Sequence, residues 1–463
     1  MLAGKKIVPN PTSRLETAQS GERSLRLIVD KPAHGVKNAA LDRVLGELDR
    51  LTNWENRPRG GMRVSLDCIR DLSERLGFPE LYFRSIHVTG TKGKSSTCAL
   101  IEASLKKAGF RVGRYSSPHV EHIGERMTID GAPVEEALMA EVLESALDAF
   151  RTARRAATAG QDATWFDILT IAAFELFRRQ GVEWAIVEAG LGGRLDSTNI
   201  VDSDIAIITN VELEHTEVLG DTRGMIAFEK AGIIKAGSVA VTPLTELDEA
   251  GATIAVKALE MGASLVVPAI PRDATIAERN ALVVGAALDA LGERGVWEKE
   301  NAPYHRRVGS WLIDAIAPED ARLPGRMERL DVAVETDAGV KTVPVVIDGA
   351  HVPFNLRAVL TDLRRDARLA GPFLTLISVA PDKDARGLLS VFLEEEADTT
   401  LTRATVRSRD PLELARIADE IGLAHRLEAD PLLAYKQALD EAAASGRWVL
   451  VTGSLYLAGI VPR

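Results

Sequence analysis

The run Gly90-Thr91-Lys92-Gly93-Lys94-Ser95-Ser96 constrains this chain more than any other stretch. The residues before it, 82–88, have strand composition, and those after it, 97–105, are small and apolar at helical spacing. Strand, tight glycine turn and helix N-terminus bring backbone N–H groups and the positive end of a helix dipole to one point. The two glycines let a polyphosphate approach the backbone, Lys94 adds a point charge, and the Ser95 hydroxyl is a ligand for Mg²⁺. Position 88 is Val, so the pattern is the short G-x-x-G-K-[ST] form rather than G-x-x-x-x-G-K-[ST]. The bland alternative is a Gly-Lys turn carrying a solvated lysine, and the strand and helix on either side argue against it.

A chain of 463 residues exceeds what one core usually holds, which predicts at least two domains. Apolar residues make up 46% and charged residues 27%, as in globular enzymes. A net charge of −11 argues against a general nucleic-acid binder, because there is no basic excess to displace counterions from a phosphate backbone. Cys68 and Cys98 are too few for a disulfide framework and form no C-x-x-C pair, which fits a reducing cytoplasm. The N-terminal 38 residues contain no signal-peptide core. No apolar run in the chain reaches the roughly 18 residues that would suggest a membrane span.

Short apolar strands are predicted at 86–88, 184–187, 205–209 and 239–242, with helices at 97–108, 134–156, 166–179 and 223–234 between them. This alternation predicts an α/β fold with a mainly parallel sheet covered on both faces. Proline, glycine and charge cluster at 317–326, the composition of a linker, and the alternation then restarts with strands at 343–347, 373–379 and 448–452 and a helix at 355–369. The expected organisation is an N-terminal arm (1–38) lacking fixed structure, a phosphate-loop domain (39–322) and a smaller C-terminal α/β domain of Rossmann-like type (323–463). A flexible basic loop is expected at 56–61.

Ligands of open α/β sheets bind beyond the carboxyl ends of the strands. Glu188 follows one strand, Asn210 to His215 another, and Asp348-Gly349-Ala350-His351 a third. Strand ends rich in carboxylate and histidine, beside a phosphate loop, predict a Mg²⁺–nucleotide site. Taken singly, each residue has a plainer explanation: Glu188 as a cap or a partner of Arg194, His215 as a packed histidine, Asp348 and His351 as caps, and Lys230 as a solvated helix lysine.

The order of the blocks is more specific. HVTGTKGKSS (87–96), YSSPH (115–119), ERMTIDG (125–131), TWFD (164–167), VEAGLGGRLDSTN (187–199), ITNVELEHTEVLGDT (208–222) and EKAGIIK (229–235) are followed by LPGRMERL (323–330), VVIDGAH (345–351), DKD (382–384) and VTGSLYL (451–457). With these blocks the chain resembles the Mur-type ATP-dependent amide ligases and, within them, the folylpolyglutamate synthase/dihydrofolate synthase family, over residues 40–463. The resemblance implies that Gly90, Thr91, Lys92, Gly93, Lys94 and Ser95 hold the ATP phosphates. It implies that Asn280 lies on the adenine side and that Arg326, Asp348 and His351 also serve the nucleotide.

By the same resemblance Ser95, Ser117, Glu188 and His215 surround Mg²⁺, two ions in all. Lys230 is a carbamylated lysine that supplies an anionic oxygen to the second ion. Lys94, Glu188, His215 and Lys230 form the catalytic set, and Trp165, Phe166, Asp167, Leu195, Asp196 and Ser197 line the pterin or pteroate pocket. The sequence departs from the family in places. Lys92 stands where many bacterial members have Asn, Ser95-Ser96 where they often have Gly-Ser or Gly-Thr, Glu214 where Asp is usual, Val352 where Asn is usual, and Ile276-Ala277 where His-Gln precedes the asparagine.

The implied activity is ATP-dependent addition of L-glutamate to the γ-carboxylate of folate through an acyl phosphate, with dihydropteroate as a further acceptor. The implied partners are these small molecules, with no nucleic acid and no membrane, and the implied state is a cytoplasmic monomer. Two alternatives stay open: a Mur-type ligase for another carboxylate, and a nucleotide-binding regulator without turnover. TWFD and GLGGRLDSTN weigh against the first. The intact Lys94, Glu188, His215 and Lys230 weigh against the second.

Overall fold

The computed structural model describes residues 36–56, 65–300, 302, 305–337 and 339–463, which divide into compact units at 36–323 and 324–463. The larger unit is built on strands β1 (Arg84–Thr89), β2 (Val112–Tyr115), β3 (Met127–Ile129), β4 (Ala132–Pro133), β5 (Trp184–Glu188), β6 (Ile205–Ile208), β7 (Val239–Val241) and β8 (Ser264–Val266). They form one sheet in the order β4-β3-β2-β5-β1-β6-β7-β8, parallel throughout except for β3 and β4. Residues of β2, β5, β6 and β7 are buried along their whole length, as expected of parallel strands covered on both faces. Helices Lys94–Lys107 and Ile276–Glu293 pack against each other over one apolar cluster, and Glu136–Ala156 and Trp165–Arg179 pair over another.

The order of strands decides where ligands can sit. β1 lies between β5 and β6, Val88 is level with Glu188, and Thr89 is level with Ile208. Chain leaving β1 crosses over to β2 on one side of it, while the chain leaving β5 passes to β6 on the other. The carboxyl end of β1 is therefore flanked by the turns that follow β5 and β6, the crevice that open α/β sheets use for ligands.

The smaller unit adds β9 (Glu328–Thr336), β10 (Gly339–Ile347), β11 (Phe373–Ile377), β12 (Asp398–Leu401), β13 (His425–Leu427) and β14 (Trp448–Thr452), ordered β13-β12-β11-β14-β10-β9 with only β9 antiparallel. The helix expected at 355–369 runs instead over Pro353–Leu363, with Pro353 in its first turn, and a separate 3₁₀ turn capped by Asp366 follows at Ala367–Leu369. The helix expected at 223–234 stops at Ala231, and Gly232 caps it with no room for a Cβ beside Arg194.

Of the arm expected at 1–38, residues 36–38 are described. Residues 1–35 lie outside the described residues, but the Lys37 and Asn38 amides donate to the Glu136 carboxylate, and the Asn38 side chain caps helix Ala39–Leu48. Residues 57–64, which include most of the expected basic loop, also lie outside the described set. Both cysteines are free, and each sits in a helix. Among the described residues no helix is long and apolar enough to cross a membrane.

A buried ion pair ties helix Lys94–Lys107 to strand β2. Glu102, 3% exposed, accepts from Arg114 Nε (2.6 Å), Thr128 Oγ1 (2.6 Å) and the Gly131 amide (2.9 Å). Arg114 also donates to Ser116 Oγ at 2.9 Å, which fixes the turn that carries Ser117. Removing one partner leaves the other charge buried. Glu102→Ala is therefore expected to cost about 3–5 kcal/mol, read as a lower urea midpoint at unchanged slope. A loss under about 1 kcal/mol, the scale of an exposed pair, would show that the pair is not structural.

Candidate active site

The phosphate loop is held from behind by residues that follow β6. Asn210 Oδ1 accepts both the Thr91 amide (2.9 Å) and the Lys92 amide (2.8 Å), and Thr209 Oγ1 donates to the Lys92 carbonyl at 2.6 Å. Gly90 sits so close to Thr209 that an added Cβ would lie 1.9 Å from its Oγ1. Gly93 has φ +83, which glycine adopts without steric cost, and the first turn of helix Lys94–Lys107 carries no side-chain cap. The amides of Thr91 and Lys92 are thus spent on Asn210, and the uncapped turn that begins at Lys94 is left to meet an anion. Lys94 Nζ folds over the loop to the Gly90 carbonyl at 3.0 Å. Asn280 comes to the same turn, its Oδ1 3.1 Å from where a Cβ on Gly93 would stand.

Glu188, 1% exposed, ends β5 beside this loop. Its Oε1 accepts from Ser95 Oγ at 3.0 Å, and its Oε2 lies 3.4 Å from the Ser117 amide. A carboxylate with the Ser95 hydroxyl on it is a hard-oxygen donor set, whereas Ser117 meets Glu188 through its amide. Among the described residues no three His, Cys, Asp or Glu side chains gather at a point, so a thiolate- or histidine-rich metal site is not present in that set. One carboxylate and hydroxyls, completed by phosphate and water, is how Mg²⁺ is usually held, and the residues fit it.

His215 occupies the left-handed region at φ +56, just ahead of the short helix Thr216–Leu219. Such a conformation is uncommon outside glycine and tends to mark functional turns. A solvent-open cleft brings His215 together with Gly90, Lys94, Gly192, Glu214 and Lys230. Lys230 is 4% exposed, and burial, followed by the charge of Lys94, pushes its ammonium down to about 7. The Glu214 carboxylate pulls the other way without prevailing.

Lys230 reaches this place because its helix is pinned to the turn after β5. The Arg194 amide donates to the Glu229 carbonyl at 2.7 Å, the Arg194 and Glu229 side chains pair at 2.8 Å, and Asn199 Nδ2 bridges the Arg194 and Gly232 carbonyls. Two of the departures from the family pattern meet here: Lys92 Nζ pairs with Glu214 Oε1 at 3.1 Å, with both side chains largely buried.

The residues expected at the pteroate pocket form a second network. Asp167 caps its own helix by accepting from Thr164 and also takes Ser197 Oγ at 2.6 Å. Asp196 accepts the Leu191 amide at 2.8 Å, and burial raises its carboxyl above the ordinary range. Phe166 lies over Gly190, and its ring centre is 5.9 Å from that of Tyr115. Leu195 packs at the edge of the larger apolar cluster. Trp165, expected to line the pocket, is 1% exposed, bonds Asp49 through Nε1 and lies under the Arg126 guanidinium at 4.8 Å, which makes it a core residue.

In the smaller unit Asp348 accepts the Met327 and Ala350 amides, and His351 Nδ1 lies 2.8 Å from the Gly349 carbonyl. Asn210, Thr209 and Glu214 were not among the expected site residues. Asn210 and Glu214 lie in the 210–215 run that follows the strand expected at 205–209, the signal that singled out His215, whereas Thr209 was expected inside that strand.

The family described as Mur ligase, glutamate ligase domain, matches residues 325–455. Dihydrofolate synthase/folylpolyglutamate synthase of Haemophilus influenzae is 40% identical over 193 residues, a match covering 40% of this chain and 42% of that one. The protein of the same description from Mycobacterium tuberculosis is 30% identical over 455 residues, covering 87% of this chain and 90% of that one. The chain belongs to the dihydrofolate synthase/folylpolyglutamate synthase family. Two solved structures agree. The fold matches Mycobacterium tuberculosis folylpolyglutamate synthase complexed with ADP and AMPPCP at a TM-score of 0.74 and 26% identity, over 91% of this chain and 97% of that one. It matches E. coli FolC in complex with DHPP and ADP at 0.70 and 27%, over the same shares.

His87 backs the network of Asp196. Its Nε2 lies 2.9 Å from Thr198 Oγ1, which donates to Asp196, and burial holds the imidazole down to about 3. Because the folded value lies below the unfolded one, the unfolded chain takes up the proton first as pH falls. Stability from this group is complete above about 6.5 and drops by about 1.4 kcal/mol per pH unit from there towards 3. In urea titrations between pH 7 and 4, His87→Asn is expected to lack that part of the slope. An unchanged slope would mean that the imidazole already carries its proton in the fold.

Proposed function

We propose that this chain is an ATP-dependent ligase that adds L-glutamate to the γ-carboxylate of a folate, with glutamate addition to dihydropteroate as a second activity of the same machinery. One observation carries the reading: Lys94, the Ser95–Glu188 pair and the buried Lys230 converge at the carboxyl end of β1, in a chain of this family. Relatives described with both activities, and the DHPP and ADP named in the E. coli FolC complex, support the pairing of substrates. A Yersinia pestis relative complexed with AMPPNP and a Mn ion supports a divalent metal.

A carboxylate is a poor acyl donor, so the γ-phosphoryl of ATP is first transferred to a carboxylate oxygen, giving ADP and an acyl phosphate. The neutral amine of glutamate then attacks the acyl carbon, the C–O bond to phosphate breaks, and the amine loses its proton as the amide forms. In both steps charge grows on oxygens rather than on a protein nucleophile. The demand is therefore for fixed positive charge and dipoles, and the Lys94 ammonium and the amides of the uncapped turn meet it.

Mg²⁺ supplies further charge neutralisation when bound; Ser95, Ser117 and Glu188 would hold one ion, and His215 with a carbamylated Lys230 a second. Asn280, Arg326, Asp348 and His351 serve the nucleotide. Phe166, Asp167, Leu195, Asp196 and Ser197 form the pteroate side, with Trp165 packed behind them.

The test is purified protein with ATP, Mg²⁺ and L-glutamate, offered tetrahydrofolate or dihydropteroate, with products resolved by mass. The expected result is a product one glutamyl residue heavier, formed with one ADP released. Lys94→Ala is expected to lower kcat about 100- to 1,000-fold with its circular dichroism unchanged. Nucleotide binding without glutamate-dependent ADP release would favour a regulator instead.

Carbamylation needs a neutral amine: its lone pair attacks CO₂, an N–C bond forms, and a proton leaves to solvent. With the Lys230 ammonium pushed down to about 7, neutral amine is available at physiological pH and declines below it. In ¹³C-bicarbonate the wild type is expected to show one carbamate resonance that fades as pH drops below 7 and is absent in Lys230→Ala. That variant is expected to lose turnover and to regain part of it with a small added carboxylate. Full activity in Lys230→Ala would remove the lysine from the mechanism.

A further inference from the structure

We propose that Arg463 is a positioning residue for Arg326, acting through Glu328 on the turn that carries it; the proposal rests on the reading that Arg326 serves the nucleotide. The turn Pro324-Gly325-Arg326-Met327 has an unusual shape. Gly325 at φ +62 and Met327 at φ +48 both lie in the left-handed region, on either side of Arg326. A methionine there is strained, so the surroundings must impose the conformation.

Three hydrogen bonds impose it. The Met327 amide donates to Asp348 Oδ2 at 2.8 Å, the Gly349 amide donates to the Gly325 carbonyl at 2.9 Å, and the Gly325 amide donates to Glu328 Oε2 at 2.9 Å. Asp348 is itself held at the end of β10, where its other oxygen takes the Ala350 amide at 2.9 Å. Glu328 is held by a fork: Arg463 Nε donates to Oε1 at 2.7 Å and Nη2 donates to Oε2 at 2.9 Å. Both charges act on the phenol of Tyr435, which is 3% exposed.

The dependence follows from burial. Glu328 is only 8% exposed, so its charge needs a fixed partner more than a surface carboxylate does. Without the Arg463 fork, the carboxylate turns towards water, and its grip on the Gly325 amide loosens. The Met327–Asp348 and Gly349–Gly325 bonds then hold the turn without the third, and the Arg326 guanidinium loses its orientation. A bidentate arginine–carboxylate pair suits this task because it sets the carboxylate plane as well as its position. Lysine would supply charge without that geometry.

The experiment compares Arg463→Met, which keeps much of the apolar stem, with Arg463→Lys, Arg326→Ala and the double variant Arg326→Ala/Arg463→Met. Amide formed, ADP released and melting temperature are measured for each. Arg463→Met is expected to lower kcat for amide formation about 10- to 100-fold with the folate KM unchanged, and to raise ADP released per amide above one. Arg463→Lys is expected to fall between it and the wild type, and the double variant to match Arg326→Ala alone. A purely structural role would lower the melting temperature and leave the ADP-to-amide ratio at one.

If Arg326→Ala is impaired while Arg463→Met keeps wild-type rate and coupling, the proposal is overturned and the reading of Arg326 stands. A double variant well below Arg326→Ala also overturns it, because Arg463 would then act elsewhere. Wild-type rate and coupling in Arg326→Ala would overturn both. Should Arg463→Met melt too low to assay, Arg463→Lys alone and combined with Arg326→Ala carries the same comparison.

Discussion

One side-chain oxygen sets the terms for the larger unit. Asn210 Oδ1 accepts the amides of Thr91 and Lys92 together, so the phosphate loop is fixed to the segment that follows β6. A loop held there cannot drift from the turn that carries His215, and its unspent donors begin where helix Lys94–Lys107 begins. The Lys92–Glu214 pair and the Thr209 hydroxyl reinforce the same seam. The loop and the 209–214 segment are joined because the bonds that shape the first come from the second.

Burial does a different job at each charged group. At Glu102 and Arg114 it is answered by full hydrogen bonding, and the result is a rigid bracket behind Ser116 and Ser117. At Lys230 it is only partly answered, and the ammonium is pushed down to about 7, where a neutral amine is chemically available. At His87 it is answered by keeping the ring neutral beside Thr198. The difference lies in the partners each group meets.

Much of the site is legible in the amino-acid sequence. Glycine spacing around Lys94, a carboxylate closing an apolar strand at Glu188 and histidine after the next strand are all local signals. The order of the motif blocks turns them into a family. Trp165 shows where such reading stops. Its block points to a substrate pocket, but neighbours remote in sequence, Asp49 and Arg126, seal it into the core. Asn210 shows the reverse: its position after a strand is visible, while its two-amide grip depends on β1 and β6 being adjacent.

The sequence by itself determined the alternation of buried strands and helices, the phosphate turn, the family and the chemistry that its residues are equipped for. Those properties depend on residue type and short spacing, because glycine conformation, apolar periodicity and strand-end carboxylates act within a few residues. The tertiary structure alone decided that β1 runs between β5 and β6, that Lys92 meets Glu214, that Lys230 is buried near Lys94, and that Arg463 reaches Glu328. Each of these joins residues a hundred or more positions apart. Such pairings follow from how the sheet orders its strands and which helices cover it, a property of the packed chain as a whole.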